Sequence, residues 1–250
     1  MTTVADANIH NVAVEGTFDD AQALVKTLFA DAELAKRLNL AAVNSINWAR
    51  IAAQVVYYVT SAAALGAPEK PVSFAVPTGN FGDIFAGYAA SRMGLPIKRL
   101  VIATNVNDIL VRTLKSGRYA RADVHATTSP SMDIQVSSNF ERLLFDLLGR
   151  DGRAVADTMA EFRKSGRMPI AEAAWRRARE IFSAARIGDA ETLDWIRRIR
   201  DETGRIVDPH TAIGIAAGRL KRKDPAVPLV ALATAHPAKF PEAVKRATGI

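Results

Sequence analysis

The stretch that decides the fold is "PVSFAVPTGNFGDIFAGYAASRMGLPIKRLVIAT", residues 71–104. It opens on an apolar run that stops at Pro77 and closes on a second run, "IKRLVIAT". Between them, "GDIFAGYAASRMG" has the length of a helix and a terminal Gly94 to cap it. Strand, helix and strand in alternation predict a mostly parallel sheet covered on both faces, with ligands gathering at the carboxyl ends of its strands. At the first strand-to-helix junction stand Gly79, Asn80, Phe81, Gly82 and Asp83. Two readings fit them. A junction of this kind needs residues that tolerate unusual backbone angles. A glycine-bracketed turn into a helix also makes a cradle for a phosphate, built from backbone N–H groups and the positive helix end.

Working outward, "NIHNVAVEG" (residues 8–16) reads as a short strand, followed by a helix from Thr17, where Thr17 and Asp20 form a capping-box-like pair. "DAELAKRL" is a second helix, "NLAAV" (residues 39–43) a buried strand, and "NSINWARIAAQVVYYVTSAAALG" a long helix closed by Gly66. After residue 104, "NDILVRTLKSG" is a further crossover helix, and the chain then reads as almost purely helical to about residue 220. "PLVALAT", residues 228–234, restores a buried strand, and "PEAVKRAT" is a final helix. The expected class is therefore α/β, a mostly parallel sheet with flanking helices and a largely helical insertion before the last strand. It divides into residues 1–137, 138–220 and 221–250.

Composition narrows the function classes. The 250 residues are 49% hydrophobic, enough for a sizeable core, and contain no cysteine, which excludes disulfides and thiolate metal sites. Four scattered histidines (His10, His125, His210 and His236) predict no metal cluster. The most apolar segment, residues 51–67, carries Gln54, Thr60 and Ser61 and is too short and polar for a membrane span. "MTTVADANIH" lacks the features of a signal peptide, so a cytoplasmic protein without a membrane partner is expected. The net charge of +7 is concentrated in the second half, in "AWRRAREIFSAARIGDAETLDWIRRIRDETGR" and "GRLKRKDP". Acidic residues are interspersed there, which favours an amphipathic helix with a solvated arginine face over a nucleic-acid surface.

Three loops compete as sites, those after Val43, Val76 and Ala233. In "NSINWAR", Asn44, Ser45 and Asn47 stand at a helix start with Arg50 one turn in. An ordinary N-cap explains the first two; a phosphate site beside a positive helix end explains all four. Thr234, in "ATAHPAKF", either satisfies backbone groups at a strand end or offers its hydroxyl to a ring nitrogen. In "DPHTAIG", Asp208 as N-cap and Pro209 at the first helical position form a sufficient helix start, with His210 as a site-wall residue the other reading.

"NSINWARI", "VPTGNFGDIFAGY", "SPSMDIQVSSNFERL", "DPHTAIG" and "ATAHPAKF", in this order and spacing, closely resemble the threonine synthases. These are fold-type-II pyridoxal-phosphate enzymes related to the tryptophan synthase β subunit. The resemblance covers essentially the whole chain. It implies pyridoxal 5'-phosphate as cofactor, with Gly79, Asn80, Phe81, Gly82 and Asp83 around its phosphate and Thr234 at its pyridine nitrogen. It also implies O-phosphohomoserine as substrate, its phosphate held by Asn44, Ser45, Asn47 and Arg50. In the family roughly half of the enzyme, including the lysine that forms the Schiff base, precedes the segment resembling "NIHNVAVEG". No lysine here stands in that context; Lys239 reads as a loop lysine. The fold is thus expected to be incomplete, the catalytic lysine to lie outside this chain, and activity to need a complementing N-terminal half. A non-catalytic protein keeping the fold, binding a phosphate, the cofactor or a partner, is the alternative.

Overall fold

The computed structural model describes residues 6–16 and 18–250, and the side chains of all of these except Phe18 and Asp19. It comprises two compact units, Met1–Ala41 and Ala42–Ile250. The first holds α1 (Phe18–Ala30) and α2 (Ala32–Leu38). Asp31 caps α2 by accepting from the Leu34 N–H at 2.9 Å, and Asn39, at φ 51°, ends it. The expected strand at residues 8–16 is absent, as is the one at 39–43. Both are short apolar runs with no ladder partner among the described residues, and an unpaired strand has nothing to satisfy its backbone. Thr17, the expected start of the first helix, lies outside the described residues.

The second unit runs α3 (Trp48–Ala64), β1 (Val72–Pro77), α4 (Gly82–Arg92), β2 (Ile97–Thr104), α5 (Ile109–Ser116), β3 (Arg118–Ala120), α6 (Phe140–Leu147), α7 (Gly152–Ser165), β4 (Arg167–Pro169), α8 (Glu172–Ile181), β5 (Phe182–Arg186), α9 (Asp189–Thr203), α10 (Pro209–Lys221), β6 (Leu229–Ala231) and α11 (Pro241–Thr248). Four strands form a parallel sheet in the order β5-β2-β1-β6, and β3 and β4 pair antiparallel apart from it.

Both faces of the sheet are covered, and the two are built differently. Phe74 and Val76 of β1 join Leu100 and Ile102 of β2 in a large core with α3, α4, α5, α6 and α8. On the other face stand Ala75, Val101, Ala103 and Ala185, against Ile213, Ala216 and Ala217 of α10. The small residues let α10 come close: a Cβ at Gly218 would lie 2.9 Å from the Ala75 Cβ, and one at Gly214 would lie 3.0 Å from the Pro77 ring. Alternation along each strand thus separates bulky from small rather than apolar from polar, which is why these strands read as continuous apolar runs.

Two further expectations need correction. "FSAAR", read within the helical stretch, is β5, paired to β2 through Phe182 opposite Leu100. Alanine and arginine favour helix locally, and burial of Phe182 beside Leu100 overrides that preference. "PLVALAT" is strand only at Leu229–Ala231, and it is half-buried rather than buried. β6 is an edge strand whose outer side has no partner among the described residues, so neither the ladder nor burial extends to Thr234.

Candidate functional site

All four strands of the sheet are parallel, so the loops after β1, β2, β5 and β6 emerge at one edge. The loop after β1 has an unusual backbone. Phe81, at φ +64°, is the N-cap of α4, and no side chain caps that helix. A bulky residue in the left-handed region is strained. Its ring holds it there: Phe81 is 1% exposed and packs on Phe140 and Phe182, with ring centroids 5.6 and 5.7 Å away. The glycines on either side are not at positive φ. They are required by proximity. A Cβ on Gly79 would lie 2.8 Å from the Ser131 carbonyl oxygen, and one on Gly82 would lie 2.8 Å from the Ser45 Cβ.

Residues 137–139 hold this loop from one side. The Ser137 hydroxyl donates to the Gly79 carbonyl at 2.8 Å, and the Ser138 N–H and hydroxyl donate to Asn80 Oδ1 at 2.8 and 2.7 Å. Asn139 Nδ2 donates to the Asn80 carbonyl at 2.9 Å and to the Ser45 hydroxyl at 2.8 Å. Arg142, one turn into α6, donates to Asn139 Oδ1 at 2.9 Å and to the Ile46 carbonyl at 3.1 Å. One polar seam therefore joins "NSINWAR", "TGNFGD" and "SSNFER". The sequence signal was a Ser-Ser-Asn triplet before an apolar helix, and it contributed to the resemblance without any role being given to Ser137, Ser138, Asn139 or Arg142.

Within "NSINWAR", Asn47 caps α3 by accepting from the Ala49 N–H at 3.0 Å, while Asn44 Oδ1 accepts from the Ile46 N–H at 3.0 Å. The cap expected at Asn44 or Ser45 thus falls two or three residues later, which frees the Ser45 hydroxyl for Asn139. Arg50 is exposed on the first turn of α3. Asp83 turns its carboxylate toward Tyr58 of α3, whose hydroxyl lies 3.1 Å from Asp83 Oδ1 and 2.8 Å from the Asp83 carbonyl. Burial raises the Asp83 carboxyl to about 6, against the opposing pull of the Tyr58 hydrogen bond and of the Arg50 charge. Burial and the neighbouring carboxyl push the Tyr58 phenol well above its usual range. Thr234 is exposed on the loop after β6. The register of β6 on β1, with Ala231 opposite Ala75, brings that loop to the same sheet edge as residues 78–83.

The sequence reading had no account of the polar knot beyond β2. Asp133 Oδ1 accepts from Asn105 Nδ2 at 2.7 Å, Asn107 Nδ2 at 3.1 Å and the Thr127 hydroxyl at 2.6 Å. It ties the loop after β2 to residues 127–135, which back the loop after β1. Among the described residues no group of three or more acidic or histidine side chains is placed to hold a metal ion, and no helix is long and apolar enough to cross a membrane. The donor set suits an anion instead. A helix with uncapped first-turn N–H groups begins where two glycines keep side chains out of the way.

Residues 1–163 match the family model described as pyridoxal-phosphate dependent enzyme. The chain belongs to that family. Residues 211–250 match a second model, described as threonine synthase, C-terminal. A threonine synthase of Pseudomonas aeruginosa is 54% identical over 247 residues, covering 99% of this chain and 53% of that protein. The Saccharomyces cerevisiae threonine synthase is 46% identical over 266 residues, covering 99% of this chain and 52% of that protein. Among solved structures, a threonine synthase from Brucella melitensis with bound pyridoxal phosphate superposes with a TM-score of 0.90 at 56% identity, covering 98% of this chain and 52% of that one. The chain thus spans about half the length of the relatives it matches, and as a member of the pyridoxal-phosphate family it has the α/β fold read from residues 71–104.

Proposed function

We propose that this chain forms part of a pyridoxal-phosphate-dependent threonine synthase, converting O-phospho-L-homoserine and water to L-threonine and phosphate. The observation that carries the reading is the meeting of Ser45 and Gly82. Two helix starts, both suited to phosphate, lie against each other through that contact and share Asn139. A cofactor phosphate and a substrate phosphate ester are two anions that such a pair would serve. Gly79, Asn80, Phe81, Gly82 and Asp83 hold the cofactor phosphate through backbone N–H groups and the positive end of α4. The residues fit the group, because α4 begins with no side-chain cap and its first-turn N–H groups are left to meet an anion. Thr234 meets the pyridine nitrogen, and Asn44, Ser45, Asn47 and Arg50 receive the substrate phosphate, with Arg50 as the bidentate donor.

When bound, pyridoxal phosphate supplies an electron sink for cleavage beside the substrate's amino-bearing carbon. The residues of this chain bind, orient and shield. Asp83 carries no proton to the substrate in this reading; its carboxyl is committed to Tyr58 and steadies α3 against α4. Lys239 is exposed on the turn after β6 and serves as a surface residue. The lysine that carries the cofactor comes from a complementing segment, supplied by the part of the relatives outside the match. The purified chain is therefore expected to bind pyridoxal phosphate weakly and to release neither phosphate nor threonine from O-phosphohomoserine. Turnover abolished by Lys239→Ala would overturn the placement of the lysine. Asn80→Ala is expected to weaken retention of pyridoxal phosphate in the complemented protein; unchanged retention would reject the phosphate-loop assignment.

A further inference from the structure

Three stretches of sequence that stand far apart meet at one buried side chain, His210, which is 3% exposed at the second position of α10. Its Nδ1 lies 2.9 Å from Asp208 Oδ1, and the backbone nitrogen of Ser131 lies 3.3 Å from its Nε2. Its ring packs, tilted, on Phe240 at 4.8 Å. The partners decide where the proton sits. The Ser131 N–H is a donor only, so Nε2 accepts, and the ring proton is on Nδ1, donated to the Asp208 carboxylate. Asp208 is 0% exposed. Burial pushes its carboxyl up, but hydrogen bonds from His210 and Thr211 outweigh this and hold it below the usual carboxylate range. A helix start needs none of this from a ring. Asp208 already caps α10 through the His210 and Thr211 N–H groups.

Ser131 connects the ring to the loop after β1. It sits in a 3-10 turn, Pro130–Met132, closed by Met132 N–H to the Ser129 carbonyl at 3.0 Å and Asp133 N–H to the Pro130 carbonyl at 3.1 Å. The Ser131 N–H is held by His210, and its carbonyl faces Gly79, where a Cβ would stand 2.8 Å away. The Met132 Cα is the next atom against the same position, at 3.2 Å. A displacement of this turn by a few tenths of an ångström therefore moves the wall on which Gly79 rests.

We infer that His210 is a positioning residue for the phosphate loop. Its neutral ring accepts the Ser131 N–H and pins residues 130–132 against Gly79, fixing the direction in which the loop's N–H groups point. The inference rests on reading residues 79–83 as the cofactor-phosphate loop and adds what holds that loop from behind. N–H groups aimed in advance bind an anion without the cost of ordering them at the moment of binding.

The test compares His210→Phe, which keeps a ring against Phe240 but has no acceptor, with His210→Gln, whose amide oxygen can accept from the Ser131 N–H. Hydrogen exchange is followed in the full chain at residues 129–133 and 78–83, with β1 and β2 as internal references. Affinity for pyridoxal phosphate is measured against pyridoxal, which lacks the phosphate. Removing the acceptor leaves the Ser131 N–H without the partner that pins it, so His210→Phe is expected to speed exchange in both segments and weaken pyridoxal phosphate roughly tenfold, with pyridoxal unchanged and His210→Gln within about threefold of the parent. Unchanged exchange at 78–83 in His210→Phe overturns the inference. So does a His210→Gln variant as loose as His210→Phe, or loosened loops with unchanged affinity for pyridoxal phosphate. A parent chain that binds pyridoxal and its phosphate equally fails the cofactor reading itself, and the exchange comparison then decides the positioning role alone.

Discussion

At the residue scale, the loop after β1 shows how differently glycine and phenylalanine serve one turn. The sequence marked Gly79 and Gly82 as special through their tolerance of unusual angles, yet the positive φ belongs to Phe81. The glycines are there because Ser131 and Ser45 come too close for a side chain. No single sequence shows which of the two demands a glycine meets, since proximity to residues 52 and 37 positions away is a tertiary fact. Asp83 gives a prediction with a definite sign. Its carboxyl is raised to about 6 in the folded chain, from an ordinary value of 3.8. The folded state therefore holds this proton more tightly than the unfolded chain, and between those two values stability falls as pH rises. The penalty is absent below the lower value and complete above the upper one. Asp83→Asn keeps an acceptor for Tyr58 without the charge, so it should stabilise the fold, by about 1 kcal/mol more at pH 8 than at pH 5. Thermal unfolding of both proteins at the two pH values measures this. An equal effect at both would show that the carboxyl does not titrate in that window.

At the scale of elements, α3 and α4 are held together by a contact with almost no slack. A Cβ on Gly87 would stand 2.5 Å from the Tyr58 ring, which is 0% exposed, and 3.0 Å from Leu100. Gly87→Ala raises helix propensity by about 1 kcal/mol, and overpacking a closed site costs about 1–3 kcal/mol. We expect net destabilisation, read as a lower midpoint in urea with an unchanged slope; a stabilised variant would mean that Tyr58 moves freely. The same scale explains which elements were legible. β1, α4 and β2 could be read from residues 71–104 because apolar runs, glycine punctuation and length all agree there. β5 could not, because "FSAAR" has a helical composition and becomes a strand only where β2 offers it an edge. Three arginines of α8 and α9 are paired along their own helices, Arg176 with Glu172, Arg197 with Asp194 and Arg198 with Glu202. The interspersed acids had indicated that pattern.

At the scale of the whole molecule, the chain's relation to its longer relatives matters most. On α3, Ile51, Gln54, Tyr58 and Ala62 are buried, while Val56, Tyr57 and Val59 are 54%, 52% and 41% exposed. A complementing segment, which the proposed function calls for, would find an exposed apolar surface on this face. Val56→Glu with Tyr57→Glu should change the stability of the isolated chain by no more than about 0.5 kcal/mol. The pair should abolish threonine formation when the chain is mixed with the part of the Pseudomonas aeruginosa relative outside the match. Full activity of the double variant would remove this face from the assembly. The sequence by itself determined the α/β class, the strand–helix–strand core and the family, because local periodicity, turn residues and motif order are properties of neighbours along the chain. Only the tertiary structure decided that "NIHNVAVEG" and "NLAAV" are not strands, that "FSAAR" is one, and that Ser45, Gly82 and Asn139 form one seam with His210 behind it. Those outcomes depend on which distant groups supply a ladder edge, a close contact or a buried hydrogen bond, and no local stretch contains that information.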